Sequence, residues 1–432
     1  MRWLVGLSLL MTLGAMAEEP RKPISLAEAA VLAMKHHPDL KIADGQLAQA
    51  EAAVRRASAP YFPTLNGNVG FSYSEAQNAG VGGQQVVRVG GVRNYNVGLS
   101  ASQLITDFGK TQSGLDAADR EKESTEWQRG DAIQNLLLRV SETYFTVLRT
   151  QQDVKINQDN VRNAEAQLQR AKGFFEAGSR AKIEVTRAEA DLANARVALI
   201  KAQNDELKAR VAFETALGLT QSPDYEFADT TLPKPEWSRD DAIKKAQETR
   251  PDLKAAFASV RAAEARLRNA EAQYYPSFNA NYSYSWSEQT FIPEPYSWRV
   301  GVSMSVPLIN EPTLGAGVQS AEAARVQAEG RQELLALQVQ QQATEAWLNL
   351  QESLSRLTAA QAALQSNEEN YRLASERYNV GVGNSLEVSD AQRLLVQARS
   401  QEVQARFDVQ LAIARLYRQA GSLTLETFLP VK

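Results

Sequence analysis

Two stretches of this chain, 203 residues apart, each close one long heptad-patterned segment and open another. The later one, Arg377 to Gln392 (RYNVGVGNSLEVSDAQ), contains Gly381 and Gly383, which tolerate the left-handed backbone that ends a helix. Asn384 then stands three residues before Glu387, an N-cap signature for a new helix. The earlier stretch, FFEAGSRAKIEVTRAEA from Phe174, is a degraded copy. In it Gly178 answers Gly381, and Glu184-Val185 answers Glu387-Val388. Each reads as the tight polar tip of a helical hairpin, so the chain is a duplication, with its two tips expected at the closed end of a tube.

The helices that reach these tips are long. Ile133, Val140, Val147, Val154, Val161, Leu168 and Phe175 recur at one heptad position, a pattern that predicts a coiled-coil seam. About 66 residues at 1.5 Å each make a rod of roughly 100 Å. The helix returning from the first tip has Ala188, Ala195, Ala202, Ala209 and Ala216 at the same spacing, small enough for close helix approach. It is too short to cover its partner, and a helix over 39–59 is expected to lie end to end above it. The second copy repeats the scheme with Leu350, Leu357, Leu364, Tyr371 and Tyr378, then Ala391, Ala398, Ala405 and Ala412. Upstream, HPDLKIA (37–43) returns as RPDLKAA (250–256), and YFP (61–63) as YYP (274–276). Repeats of this quality set the architecture.

Between the helices the period changes to two. Leu65, Gly67, Val69, Phe71 and Tyr73 alternate with Asn66, Asn68, Gly70, Ser72 and Ser74, one apolar face against one small polar face. The same alternation predicts strands over about 94–103, 277–286 and 296–306. A Gly/Gln-rich loop at 75–92 and a shorter one at 287–295 connect them. Strands of about ten residues match a tilted bilayer crossing. Their aromatic faces suit lipid and their Asn/Ser faces suit water. Four strands cannot close a barrel, and open edges in hydrocarbon are costly. Membrane strands of this number must close by association of several chains. The plain alternative is two soluble hairpins packed on helices.

Residues 1–17 look like a secretory leader, with Arg2, an apolar run and Ala15-Met16-Ala17 as the cleavage site. The expected layout is a first repeat over 18–218 with a helical hairpin at 111–217, and a Pro/Asp-rich linker at 219–237. A second repeat follows over 238–421 with its hairpin at 313–419, then a tail at 422–432. Loss of the leader with its Arg2 takes the net charge one unit below the −4 of the whole chain, too mild and mixed for a nucleic-acid binder. There are no cysteines, so neither disulfides nor thiolate metal sites are used. His36 and His37 sit at a helix end, where complementing the helix dipole is a better reading than metal ligation. Neither a nucleophile–base triad nor a phosphate loop is visible. No cofactor is expected.

The duplicated order, the PDL and Y-x-P segments, and Arg377-Tyr378-x-x-Gly381 followed by Glu387-Val388 and Ala391 together resemble the TolC family of bacterial outer-membrane efflux and secretion channels. The resemblance covers essentially the whole chain after the leader. It implies an α+β fold, mainly α, in which three chains pool four strands each into one 12-stranded barrel above a periplasmic α-barrel. It further implies a homotrimer in outer-membrane lipid, docked on a periplasmic adaptor and an inner-membrane ABC or RND transporter, with no catalysis of its own. By position, Glu387 and Asp390 match family residues that line the constriction; Glu387 is equally readable as a capping residue. Carboxylates of three chains about 6 Å apart would repel by ~3 kcal/mol per pair at an effective dielectric near 20, and so attract cations. Tyr378 matches a gate residue, with Glu184 as its plausible partner, and it is also a seam residue. Some relatives carry Arg where this chain has Gly383; Arg180 is the candidate substitute. Gly178, Arg180, Gly381 and Val382 are the expected adaptor contacts. Arg299 alternates with Ser297 and Gly301 on the expected lumen side, where it can influence ion selectivity. Two rival readings are a soluble periplasmic coiled-coil scaffold and an envelope enzyme such as a peptidoglycan hydrolase, for which no paired-acid or metal motif stands out.

Overall fold

The computed structural model describes residues 22–75, 91–219, 225–289, 296–308 and 310–428. The expected leader, loop residues 76–90 and 290–295, linker residues 220–224 and tail residues 429–432 lie outside the described residues. In chain order the elements are β1 (Lys22–Ile24), α1 (Leu26–His36), α2 (Pro38–Ser58), β2 (Thr64–Ser74), β3 (Val92–Thr106), α3 (Lys110–Glu176) and α4 (Lys182–Leu217). They continue as β4 (Tyr225–Phe227), α5 (Arg239–Thr249), α6 (Pro251–Ala272), β5 (Ser277–Glu288), β6 (Tyr296–Ser305), α7 (Glu311–Asn379) and α8 (Ser385–Gln419).

The two rods, α3 with 67 residues and α7 with 69, carry the wall. Helix α3 packs on α2, α4, α6 and α8, and α7 packs on α5, α6 and α8. Val140, Val147 and Leu168 of the predicted seam are buried, as are Ala391, Ala398, Ala405 and Ala412. Phe175 departs from that expectation and is 43% exposed. Its turn of α3 lies at the end of the rod, and α4 begins only at Lys182.

A short helix completes the span of each return helix, and the joint is the same in both copies. Gly218, at φ +73, caps α4 so close to the start of α2 that a Cβ would stand 2.7 Å from His37 Cα. Gly421, at φ +67, does the same against Arg250 Cα, again at 2.7 Å. His37 caps the start of α2, where its Nδ1 accepts the Asp39 backbone N–H at 3.1 Å. His36 does lie in the last turn of α1, where positive charge is favoured.

The strands form one antiparallel sheet in the order β2-β3-β5-β6. Strand β3 runs beyond the expected 94–103 because it is laddered on both sides, with a register shift between Leu104 and Thr106 on the β5 side. Every residue of β6 is exposed, and nearly every residue of β2. These two are the outer strands, each paired on one side only among the described residues. Residues 219–237, read as a linker, contain β4, which pairs in parallel with β1. The buried Tyr144 hydroxyl donates to the Ile24 and Ala228 carbonyls at 3.1 and 2.7 Å, and burial pushes its pKa up to about 12. This cross-tie fixes the inter-repeat segment to the middle of the α3 rod. No described helix is long and apolar enough to cross a membrane.

Candidate functional site at the hairpin tips

Both tips are built by a glycine that ends the descending rod. Gly178 has φ +71, with Ala177 N–H on Gly173 O and Ser179 N–H on Phe174 O closing the turn at 3.0 and 2.9 Å. Gly381 has φ +83, and the N–H groups of Val382 and Gly383 both donate to Arg377 O at 3.0 and 2.9 Å. Gly383 does not take the left-handed backbone expected for it. Its smallness is used differently: a Cβ there would meet Tyr378 N at 3.0 Å and Arg377 C at 3.1 Å. The turn folds flat on the last turn of α7.

The two return helices start unlike one another. Asn384 Oδ1 accepts the Glu387 N–H at 2.9 Å, which caps α8. The corresponding Ala181 offers α4 no side-chain cap. Glu184 and Glu387 occupy equivalent positions in the two copies, yet their surroundings differ. Glu184 is 13% exposed at its side chain and accepts from the Tyr378 hydroxyl at 3.1 Å. Glu387 is 43% exposed, and Arg377 stands 3.9 Å away.

Arg180 joins the tips. Its Nη2 donates to the carbonyls of Gly383 and Gly381 at 2.9 and 3.3 Å. Its Nη1 lies 3.5 Å from Glu184, and the guanidinium stands 5.4 Å from the centre of the Tyr378 ring. Phe174 meets that ring edge-on at 5.7 Å. Tyr378 is therefore 4% exposed. Burial, and then the Glu184 carboxylate against its hydroxyl, raise the phenol pKa above its usual 10. Four of the sequence candidates, Arg180, Glu184, Tyr378 and Gly381, thus converge in one contact. Val382, Gly178 and Asp390 do not join it. Val382 is exposed, and Asp390 lies 3.7 Å from Arg393 on its own helix. The acids expected to line a constriction thus each have a cation nearby within the same chain.

Further ties between the hairpins escaped sequence reasoning. Ser389 Oγ donates to Asp191 at 2.7 Å. Gln392, buried beside the Ala391 ladder, bridges Gln167 at 2.5 Å and Asn160 at 2.8 Å. A glutamine inside an otherwise small and apolar seam was the one available signal. Among the described residues there is no cluster of His, Cys, Asp and Glu able to hold a metal ion.

The chain is similar to known proteins over most of its length. The family model described as outer membrane efflux protein matches residues 29–219 and 242–422. The pyoverdine export outer membrane protein OpmQ of Pseudomonas aeruginosa is 27% identical over 405 residues, covering 90% of this chain and 83% of that protein. Outer membrane protein TolC of Vibrio cholerae is 24% identical over 417 residues, covering 94% of this chain and 93% of that protein. Among solved structures, CusC superposes with a TM-score of 0.81 at 21% identity, covering 92% of each chain.

Proposed function

Because this chain belongs to the outer membrane efflux protein family, exit channels of the bacterial outer membrane for efflux or secretion, we propose that it works as a homotrimer gated at its hairpin tips. The observation that carries this is a panel with two unfinished sides. Strand β2 with α2 and α4 forms one lateral edge; β6 with α7 forms the other. Backbone groups on a strand edge cannot stay unpaired in hydrocarbon, so each β2 takes the β6 of a neighbouring chain, and three panels close a 12-stranded barrel. The helical edges support the same joint. Val197, Ile200, Leu207 and Val211 of α4 and Leu334 and Leu337 of α7 are exposed, and association covers them.

The periplasmic tips then meet around one axis. Arg180, Glu184 and Tyr378 hold the first and second hairpins of each chain together, and Glu387 and Asp390 set the charge of the constriction. The tip residues Gly178, Arg180, Gly381 and Val382 face a periplasmic adaptor that couples the channel to an inner-membrane ABC or RND transporter. The repeats divide at the 219–237 segment. The channel contributes passage and gating, and no catalysis. The test is extraction from membranes followed by native mass measurement and planar-bilayer recording. A three-copy species that conducts is expected; a single copy that never conducts contradicts the proposal.

A further inference from the structure

The Asn/Ser face of the sheet is nearly free of charge. Register fixes which side chains share it: Asn66, Ser100, Ser283 and Arg299 stand in one row across the four strands. Following the same face along each strand gives Asn, Ser, Gly and Thr, with Val92 and Leu104 near the ends of β3. Arg299 is the single ionised side chain on that face among the described residues. The other two strand charges, Arg93 and Glu288, lie on the aromatic face at the loop ends, opposite Tyr73 and Tyr95.

Several of the uncharged groups on this wall bond one another. Ser102 donates to Asn281, which donates to Ser303, at 3.1 and 2.8 Å. Ser285 and Ser297 are 3.0 Å apart, and Ser287 donates to Asn94 at 2.8 Å. Asn68 and Asn96 lie flat over the glycines opposite them, where a Cβ on Gly98 or Gly70 would sit in their place. Much of the wall is therefore low in profile. Arg299 differs in charge and length: it is exposed, and among the described residues its guanidinium has neither a hydrogen bond nor an ion pair. Among the described residues of this face it is the one long cation on an otherwise neutral wall.

We infer that Arg299 makes the strand-built part of the channel selective for anions, and that the cargo class it favours is small organic anions bearing carboxylate, phosphate or sulfonate groups. This rests on the reading that the Asn/Ser face lines a pore. Each copy in the assembly adds one guanidinium at the same height. The effect belongs to low salt, because the screening length falls from about 30 Å at 0.01 M to about 3 Å at 1 M.

The chain has no cysteine, so Arg299→Cys carries a sole thiol. Reversal potentials in a potassium chloride gradient are read in planar bilayers, in an Arg180→Ala background that removes the tips as the limiting step. The parent is expected to prefer chloride, and Arg299→Cys to lower the chloride-to-potassium permeability ratio on the order of two- to threefold in dilute salt, with little change at 1 M. A cationic aminoethyl methanethiosulfonate restores the preference, and an anionic sulfonatoethyl reagent reverses it. Val300→Cys, on the aromatic face, does not respond to either. Conducting channels with equal reversal potentials in all variants overturn the role of Arg299 and leave the pore reading intact, as does an equal response from Val300→Cys. Absence of conductance in the parent overturns the pore reading, and this inference with it.

Discussion

The joint and the tip of each hairpin were copied together, and only the backbone of the joint has stayed the same. Gly218 against His37 and Gly421 against Arg250 repeat one geometry: a left-handed glycine, and a Cβ site 2.7 Å from the facing Cα. At the tips the copies have parted. Arg180 in the first stands where the second has Gly383, and the buried Tyr378 of the second stands where the first has the exposed Phe175. A joint that stacks one helix on another admits a single solution, so both copies keep it. A latch between two copies requires unlike halves. The first tip provides the cation and the buried carboxylate; the second provides the phenol and two free carbonyls. Duplication produced the pair of surfaces, and divergence made them complementary.

The joints should give the largest effects. Gly218→Ala and Gly421→Ala each combine a positive φ with a clash against backbone, and about 2–4 kcal/mol of stability should be lost. Thermal unfolding should lower the melting temperature of the two variants alike, whereas a strong effect in one alone would break the claim that the joints are equivalent. Gly178→Ala and Gly381→Ala meet open space, so only the backbone conformation is strained, at about 1 kcal/mol.

Next comes Arg180→Ala. It removes two charge-assisted bonds to carbonyls and the approach to Glu184, about 2–3 kcal/mol of tip closure, or roughly a 30- to 150-fold rise in open population. Open probability in bilayers reads this directly. Arg377→Ala, beside the exposed Glu387 in the other tip, should change it by less than about 0.5 kcal/mol. Equal effects from the two arginines would erase the division of labour.

Tyr378→Phe should cost about 1–2 kcal/mol of closure, while Phe175→Tyr should cost nothing measurable. Combining Tyr378→Phe with Glu184→Ala should cost less than the sum, since both remove one contact. The pH response follows from the raised phenol pKa. A neutral Tyr378 is the form the folded tip favours, so its contribution is complete below pH 10 and is lost as pH rises through the raised value. Gating should therefore be flat from pH 6 to 9 as far as this group is concerned, with opening setting in only above about 10.

The smallest effect is expected from Asp390→Ala. With Arg393 and Arg377 near the two exposed acids, this tip is less negative than the acids alone imply. Multivalent-cation block should weaken by on the order of twofold, and more at low salt.

Much of this was legible in the chain because its periods are strict. Heptads and alternation require only the positions of apolar residues, and they yield the rods, the strands and the α+β class. The end-to-end stacking of α2 on α4 followed from length alone, whereas its mechanism, a glycine beneath a neighbour's Cα, did not. Contacts between remote segments have no period. The parallel pairing of β1 with β4 joins residues 22–24 to 225–227 through a three-residue ladder that no pattern announces. In the latch, the phenol and its carboxylate partner were nameable by position and resemblance. The two carbonyls that receive Arg180 are backbone groups and carry no sequence signal. Gly383 was misread for a related reason: a glycine permits both a left-handed turn and a close approach, and only the neighbours decide which is used.

One measurement reaches the latch most directly, because the chain contains no native thiol. Asp191→Cys and Ser389→Cys, at positions whose side chains meet at 2.7 Å, are joined with a short bifunctional maleimide in the membrane-embedded channel. If the two tips of one chain hold each other, the product migrates as a single cross-linked chain and open probability falls in an Arg180→Ala background. Cross-linked multimers, or an intrachain link that leaves conduction unchanged, would contradict a latch made within each chain.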